Sequence, residues 1–162
     1  MKKNDTLKLA NAGMIAALYV ALTYIANLFG LASGAIQVRL SEALTILPVF
    51  TASAVPGLTV GCVLANLLTG CAAWDVVFGS VATLIGAIGT RLLKDKPLLA
   101  WIPPVVSNAA IVPVILIKVY GVPDAWWFLV LTVGAGEIIS CGLLGLLLYR
   151  ALKNVPQIRN MK

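Results

Sequence analysis

Six stretches of the chain are almost continuously apolar, and short polar or turn-forming breaks separate them. The first runs from Leu9 to about Leu31 behind an opening MKKNDTLK, and it is long enough to span a bilayer. It superficially resembles a signal peptide but offers no convincing cleavage site, so it is expected to stay as a first helix. The pattern predicts helices at about 8–28, 40–54, 57–71, 76–93, 98–118 and 124–149, in one domain over residues 1–162. The middle pair is the ambiguous part. No charged residue falls between Glu42 and Asp75, and this stretch reads either as one tilted helix or as two short ones. Val55-Pro56-Gly57 favours a turn, because proline disfavours helix in the residue before it and glycine tolerates any backbone angle.

Composition then fixes the solvent. The chain is 60% hydrophobic and 11% charged, with a mean hydropathy of +0.99, the profile of a polytopic membrane protein. The few basic residues decide the hairpin. Lys2, Lys3 and Lys8 precede the first helix, Arg91, Lys94 and Lys96 crowd one loop, and Arg150, Lys153, Arg159 and Lys162 fill the tail. Short basic segments stay in the cytoplasm. All three clusters share one side only if an even number of spans separates the first from the second, which requires two helices between 40 and 71. The expected architecture is all-α and integral to the membrane, with six transmembrane helices and both termini cytoplasmic.

Polar residues inside such a chain are costly and point inward by default. Arg39 and Glu42 lie three apart at the head of the second helix, where they could pair with each other or cap it. Gln37, Asn66, Trp74, Asp75, Asn108 and the Trp126-Trp127 pair also fall in the outer half, which implies a wet pocket open to the outside. Glu137 lies deeper, about 18 Å along the last helix at the helical rise. Duller roles exist for most of them. Asn66 and Asn108 suit interhelical hydrogen bonding. Trp101, Trp126 and Trp127 suit an aromatic belt, and Asp75 suits a helix start.

Absences narrow the mechanism. There is no GxxxxGK[ST] loop for nucleotide phosphates, and no histidine to serve as general base or metal ligand. Cys62, Cys71 and Cys141 form no CxxC pair. No catalytic residue, cofactor, metal or nucleic-acid partner is expected; a substrate-binding membrane subunit that borrows energy from a partner is. Small residues mark a docking candidate. In ANAGMIAAL, Ala12 and Ala16 stand four apart, as do Gly13 and Ala17, and such stripes permit close helix contact. Gly57 and Gly61 form a similar pair in the third helix.

Four blocks in order, QVRLSEALTILPVF, VPGLTVGCVLANLLTG, WDVVFGSVATLIGAIGT and GAGEIISCGLLG, resemble the QueT family of queuosine-precursor S components of energy-coupling factor (ECF) transporters. The resemblance runs from about residue 10 to residue 150. It implies a six-helix S-component bundle in a bacterial plasma membrane, with an outward-facing site covered by the loop between helices one and two. It also implies three partners: a transmembrane coupling protein and two cytosolic ATPases. Ala12 and Ala16 fit the AxxxA motif that meets the coupling protein in S components. The implied substrate is a 7-deazaguanine: the 7-cyano or 7-aminomethyl base, or queuine.

That ligand suits the inventory. Its guanine-like edge offers an N1–H and an amine that one carboxylate accepts together, while an amide or guanidinium donates to O6. Glu137, Asp75 and Glu42 are the carboxylates, and Asn66, Asn108, Gln37 and Arg39 the partners. Trp74 and Trp127 offer faces for the ring. The alternative is a self-sufficient, proton-coupled secondary transporter with Glu137 as its proton site, which needs no ATPase.

Overall fold

A computed structural model describes residues 3–31 and 37–159. Every element is helical: α1 (Lys3–Leu28), a 3-10 helix (Leu40–Val49), α2 (Ala54–Leu68), α3 (Ala73–Leu92), α4 (Ile102–Lys118), α5 (Trp126–Glu137), a π-helical stretch (Ile138–Leu144), α6 (Gly145–Leu152) and a short α7 (Pro156–Arg159). From α5 to α6 the chain is one uninterrupted rod. Three helices are long and apolar enough to cross a membrane: Asp5–Leu28, Ala73–Leu92 and Trp126–Leu152. The loop expected to cover the site falls largely on residues 32–36, which lie outside the described residues.

The expected turn at Val55-Pro56-Gly57 is displaced toward the N-terminus. The chain turns at Thr51–Ala52–Ser53, and Pro56 sits inside the first turn of α2. A proline is tolerated there because the first amides of a helix have no intrahelical acceptor. The preceding segment is also tighter than expected. It is a 3-10 helix carrying Pro48, and its ten residues cover about 20 Å at the 3-10 rise. Helix α4 begins at Ile102, four residues late, with Pro103 and Pro104 opening it.

The 3-10 helix is the centre of the bundle, buried on most sides and in contact with α1, α2, α3, α6 and the π stretch. Around it α1 packs on α2, α2 on α3, α3 on α4, and α4 on α5. One apolar cluster joins Ile15 and Tyr19 of α1 to Leu44, Leu58, Cys62 and Ala87. A second closes the opposite end around Ile46, Val49, Phe50 and Ala100, where Phe50 stacks on Tyr149 with centroids 5.4 Å apart. Arg91, which the structure places in the last turn of α3, donates to the Pro48 carbonyl at 3.0 Å and pins α3 to the end of the 3-10 helix. The outer surface is apolar: Leu9, Met14, Leu18, Val77, Ile85, Val106, Leu131 and Leu147 are all exposed. In water such a surface would aggregate; in lipid it is the ordinary exterior.

Two close approaches depend on glycine. A Cβ on Gly61 would lie 2.8 Å from the Tyr19 Cβ and 3.0 Å from the Ala16 Cα, and one on Gly57 would lie 2.8 Å from the Ala12 carbonyl oxygen. These two glycines let α1 and α2 touch along their backbones. A Cβ on Gly136 would lie 2.1 Å from the Gln37 carbonyl oxygen, so residues 37–39 lie directly against α5. Gly136→Val is therefore expected to dislodge that segment and lower the melting temperature in detergent by several degrees. An unchanged melting curve would mean the segment is not held there.

Candidate substrate-binding site

A cavity of about 410 Å³ opens between the α1, α2 and α3 ends that meet at one side of the bundle and the C-terminal end of α4. Small-molecule pockets span about 300 to 1,000 Å³. From α1 come Tyr19, Thr23 and Asn27; from the segment laid on α5 and the start of the 3-10 helix come Gln37, Arg39 and Ser41. α2 and the turn behind it give Asn66, Thr69 and Cys71, α3 gives Asp75, and α4 with its following turn gives Leu116, Tyr120 and Val122. Of the residues singled out in the sequence, Gln37, Arg39, Asn66 and Asp75 meet here. Arg39 and Asp75 are the charged members of the lining.

Arg39 is aimed by its backbone. Its N–H donates to Ser140 Oγ at 3.1 Å, and Ser140 donates in turn to the Gly136 carbonyl at 2.9 Å. The π stretch that begins at Ile138 thus receives the segment that carries the guanidinium. π-helical insertions of this kind are frequent at functional sites.

Beneath the cavity lies a buried polar layer that the cavity does not expose. Glu42 accepts a hydrogen bond from the Tyr19 hydroxyl, and its second oxygen, Oε2, has no partner among the described residues. Glu137 accepts from the Cys141 thiol at 3.2 Å and from the Asn108 side chain. Ligand atoms of Glu42, Glu137 and Cys141 all lie within 4.8 Å of one another. Two carboxylates this close in a buried place need a compensating charge. Arg39 is the cation whose field reaches both Glu137 and Glu42, at longer range than a direct ion pair. Glu42 thus faces Tyr19 as well as Arg39, one helix away from the local pairing its spacing allowed.

Asp75 lies in the first turn of α3 but caps nothing with its side chain. Its Oδ2 accepts from the Tyr120 hydroxyl at 3.0 Å, and Tyr120 Oη accepts from the Ala72 N–H at 3.1 Å. Partial burial pushes the Tyr120 phenol above its ordinary value, which keeps its proton in place for Asp75. Asn66 Nδ2 donates to the Asp75 carbonyl at 3.4 Å, tying α2 to α3 beside the cavity.

The two tryptophans stand elsewhere. Trp74 is 61% exposed and stacks on Phe78 at 5.7 Å, and Trp127 is 63% exposed and meets Phe128 edge-on. On α1, Ala12 and Ala16 turn toward Gly57 and Gly61, whereas Gly13 and Ala17 face outward. Sequence reading passed over Tyr19 and Tyr120, and it weighed Cys71 only as a thiol without a CxxC partner. Tyr19 carried a signal, since it follows Ala12 and Ala16 on the same helical face. Tyr120 carried little, because its place depends on the turn at Gly121.

An all-helical bundle with a lipid-suited exterior and a polar, charged cavity among its helix ends defines a multi-pass membrane protein of the solute-transporting class. The chain belongs to the QueT transporter family, whose sequence profile matches residues 9–154. It is 36% identical over 97 residues to the queuosine precursor transporter QueT of Lactococcus lactis subsp. cremoris (strain MG1363). That match covers 59% of this chain and 56% of the relative, little more than half of each. No solved structure matches.

Proposed function

We propose that this chain is the substrate-binding S component of an ECF-type importer and takes up a queuosine precursor of the 7-deazaguanine class, energised by two separate ATPases through a transmembrane coupling protein. The observation that carries this reading is the cavity, sized for one small molecule and lined by a guanidinium, a carboxylate and the amides of Asn27, Gln37 and Asn66. The sequence supports the division of labour, because it has no phosphate-binding loop of its own.

In this reading Arg39 and Gln37 donate to the keto oxygen of the base. The amino-pyrimidinone edge reaches the buried layer beneath the cavity when Tyr19 and Ser41 move aside, and there the unpartnered Oε2 of Glu42, with Glu137 behind it, accepts from its donors. Asn108 holds Glu137, Asn66 holds Asp75, and Asp75 meets the substituent at C7. Trp74 and Trp127 serve as interfacial anchors. The test is reconstitution. The chain alone should bind the base, and vesicles should accumulate it only when the coupling protein, the ATPases and ATP are added. Uptake by the chain alone under a proton gradient would replace this reading with a secondary transporter.

The six-span topology with cytoplasmic termini belongs to the same proposal. The 3-10 helix and α2 form the hairpin that the basic clusters require, and both are short enough to need protein around them. A cysteine placed as Asp95→Cys in the exposed basic loop should react with an impermeant maleimide only in inverted vesicles. Labelling from the outside of intact cells would remove the hairpin and the topology together.

A further inference from the structure

We propose that Tyr120 is a positioning residue that makes the pocket select a cationic C7 substituent over a neutral one, by fixing the carboxylate of Asp75. This rests on the base-binding reading above. Arg39 and Asp75 both line the cavity, yet no ion pair joins them among the described residues. Asp75 is 7% exposed, and no cation pairs with it among the described residues. A carboxylate that is buried without a cation is costly unless something completes it. The Tyr120 hydroxyl completes half of it, at Oδ2. The other oxygen lies beside Gly79, where a side chain would approach it: a Cβ there would come within 3.2 Å of Asp75 Oδ1 and of Asn66 Nδ2. A small cation such as an aminomethyl group supplies the missing charge; a cyano group, which only accepts, does not.

The fold fixes Tyr120 from both sides. Its oxygen takes the Ala72 N–H at the start of α3. Its backbone is set by Gly121 at φ 64° and by the Val122 N–H bonding the Leu116 carbonyl at 3.0 Å. Without the hydroxyl, Asp75 keeps its place on α3 but loses the contact that orients its carboxyl group. The expected loss is therefore in discrimination more than in binding.

The test measures dissociation constants of 7-aminomethyl- and 7-cyano-7-deazaguanine for the wild type, Tyr120→Phe, Asp75→Asn and the double variant. The wild type should prefer the aminomethyl base by tenfold to a hundredfold, roughly what one charged hydrogen bond is worth. Tyr120→Phe should cut that preference by about tenfold while leaving the cyano base within about threefold, and it should change nothing further in Asp75→Asn. A structural role alone would weaken both bases equally, and that result, or an undiminished preference in Tyr120→Phe, overturns the assignment of Tyr120. Binding of neither base to the wild type overturns the base-binding reading and this inference with it.

Discussion

Arg39→Met is expected to cost about 3 to 5 kcal/mol of stability and to abolish ligand binding, the loss typical of removing one partner from a buried charge cluster. The guanidinium is the cation that faces both Glu42 and Glu137, whose acceptor atoms lie within 4.8 Å of each other. Methionine keeps much of the length and apolar stem, so packing changes little and the charge effect is isolated. Thermal melting in detergent reads the stability, and rescue decides the cause. Adding Glu137→Gln to Arg39→Met removes one of the stranded charges and should restore much of the melting temperature without restoring binding. If Arg39→Met melts as the wild type does, the two carboxylates are compensated by something other than Arg39.

The helical architecture was legible because lipid makes the code simple. Long apolar stretches and a few basic loops decide where α1, α3 and the α5–α6 rod run, and these are the three elements long enough to span. The division of residues 40 to 71 was legible through the turn signal at Val55-Pro56-Gly57 together with the distribution of basic residues, since no polar break marks it. The turn was misplaced because Pro56 breaks a helix when interior but suits a first turn, and sequence alone does not say which position it holds. That Leu40–Val49 winds as a 3-10 helix depends on its neighbours. It is buried against five elements, and tertiary contact overrides local propensity there.

The site was legible by residue type and not by partner. An arginine and several carboxylates in a greasy chain announce a polar interior, and Gln37, Arg39, Asn66 and Asp75 do converge on one cavity. Depth along a helix does not give distance between helices, however. Glu137 and Glu42, 95 positions apart by number, become neighbours because Gly136 lets residues 37–39 lie on α5. Aromatic residues were the poorest guide: a tryptophan suits a ligand face or a lipid interface equally well. Tyr19 and Tyr120 line the cavity, with hydroxyls that hold Glu42 and Asp75.

Tryptophan substitutions on the two small-residue stripes of α1 should separate folding from coupling. Ala16 is buried where α1 meets Gly61, so Ala16→Trp must force the helices apart; overpacking in a tight seam costs about 1 to 3 kcal/mol even for smaller insertions. Poor expression and a lower melting temperature are expected, with uptake lost as a consequence. Gly13 and Ala17 face outward, and a Cβ on Gly13 would meet nothing within 4 Å. A glycine in a helix interior costs roughly 0.5 to 1 kcal/mol relative to alanine, and no contact among the described residues requires one at position 13. Close approach by a partner helix does require one. Gly13→Trp and Ala17→Trp should therefore melt and bind ligand as the wild type does, while in the proposed importer cellular uptake falls to background because docking on the coupling protein is lost. Normal uptake by both would move the docking face off this side of α1, and impaired binding by either would show that the stripe supports the pocket instead.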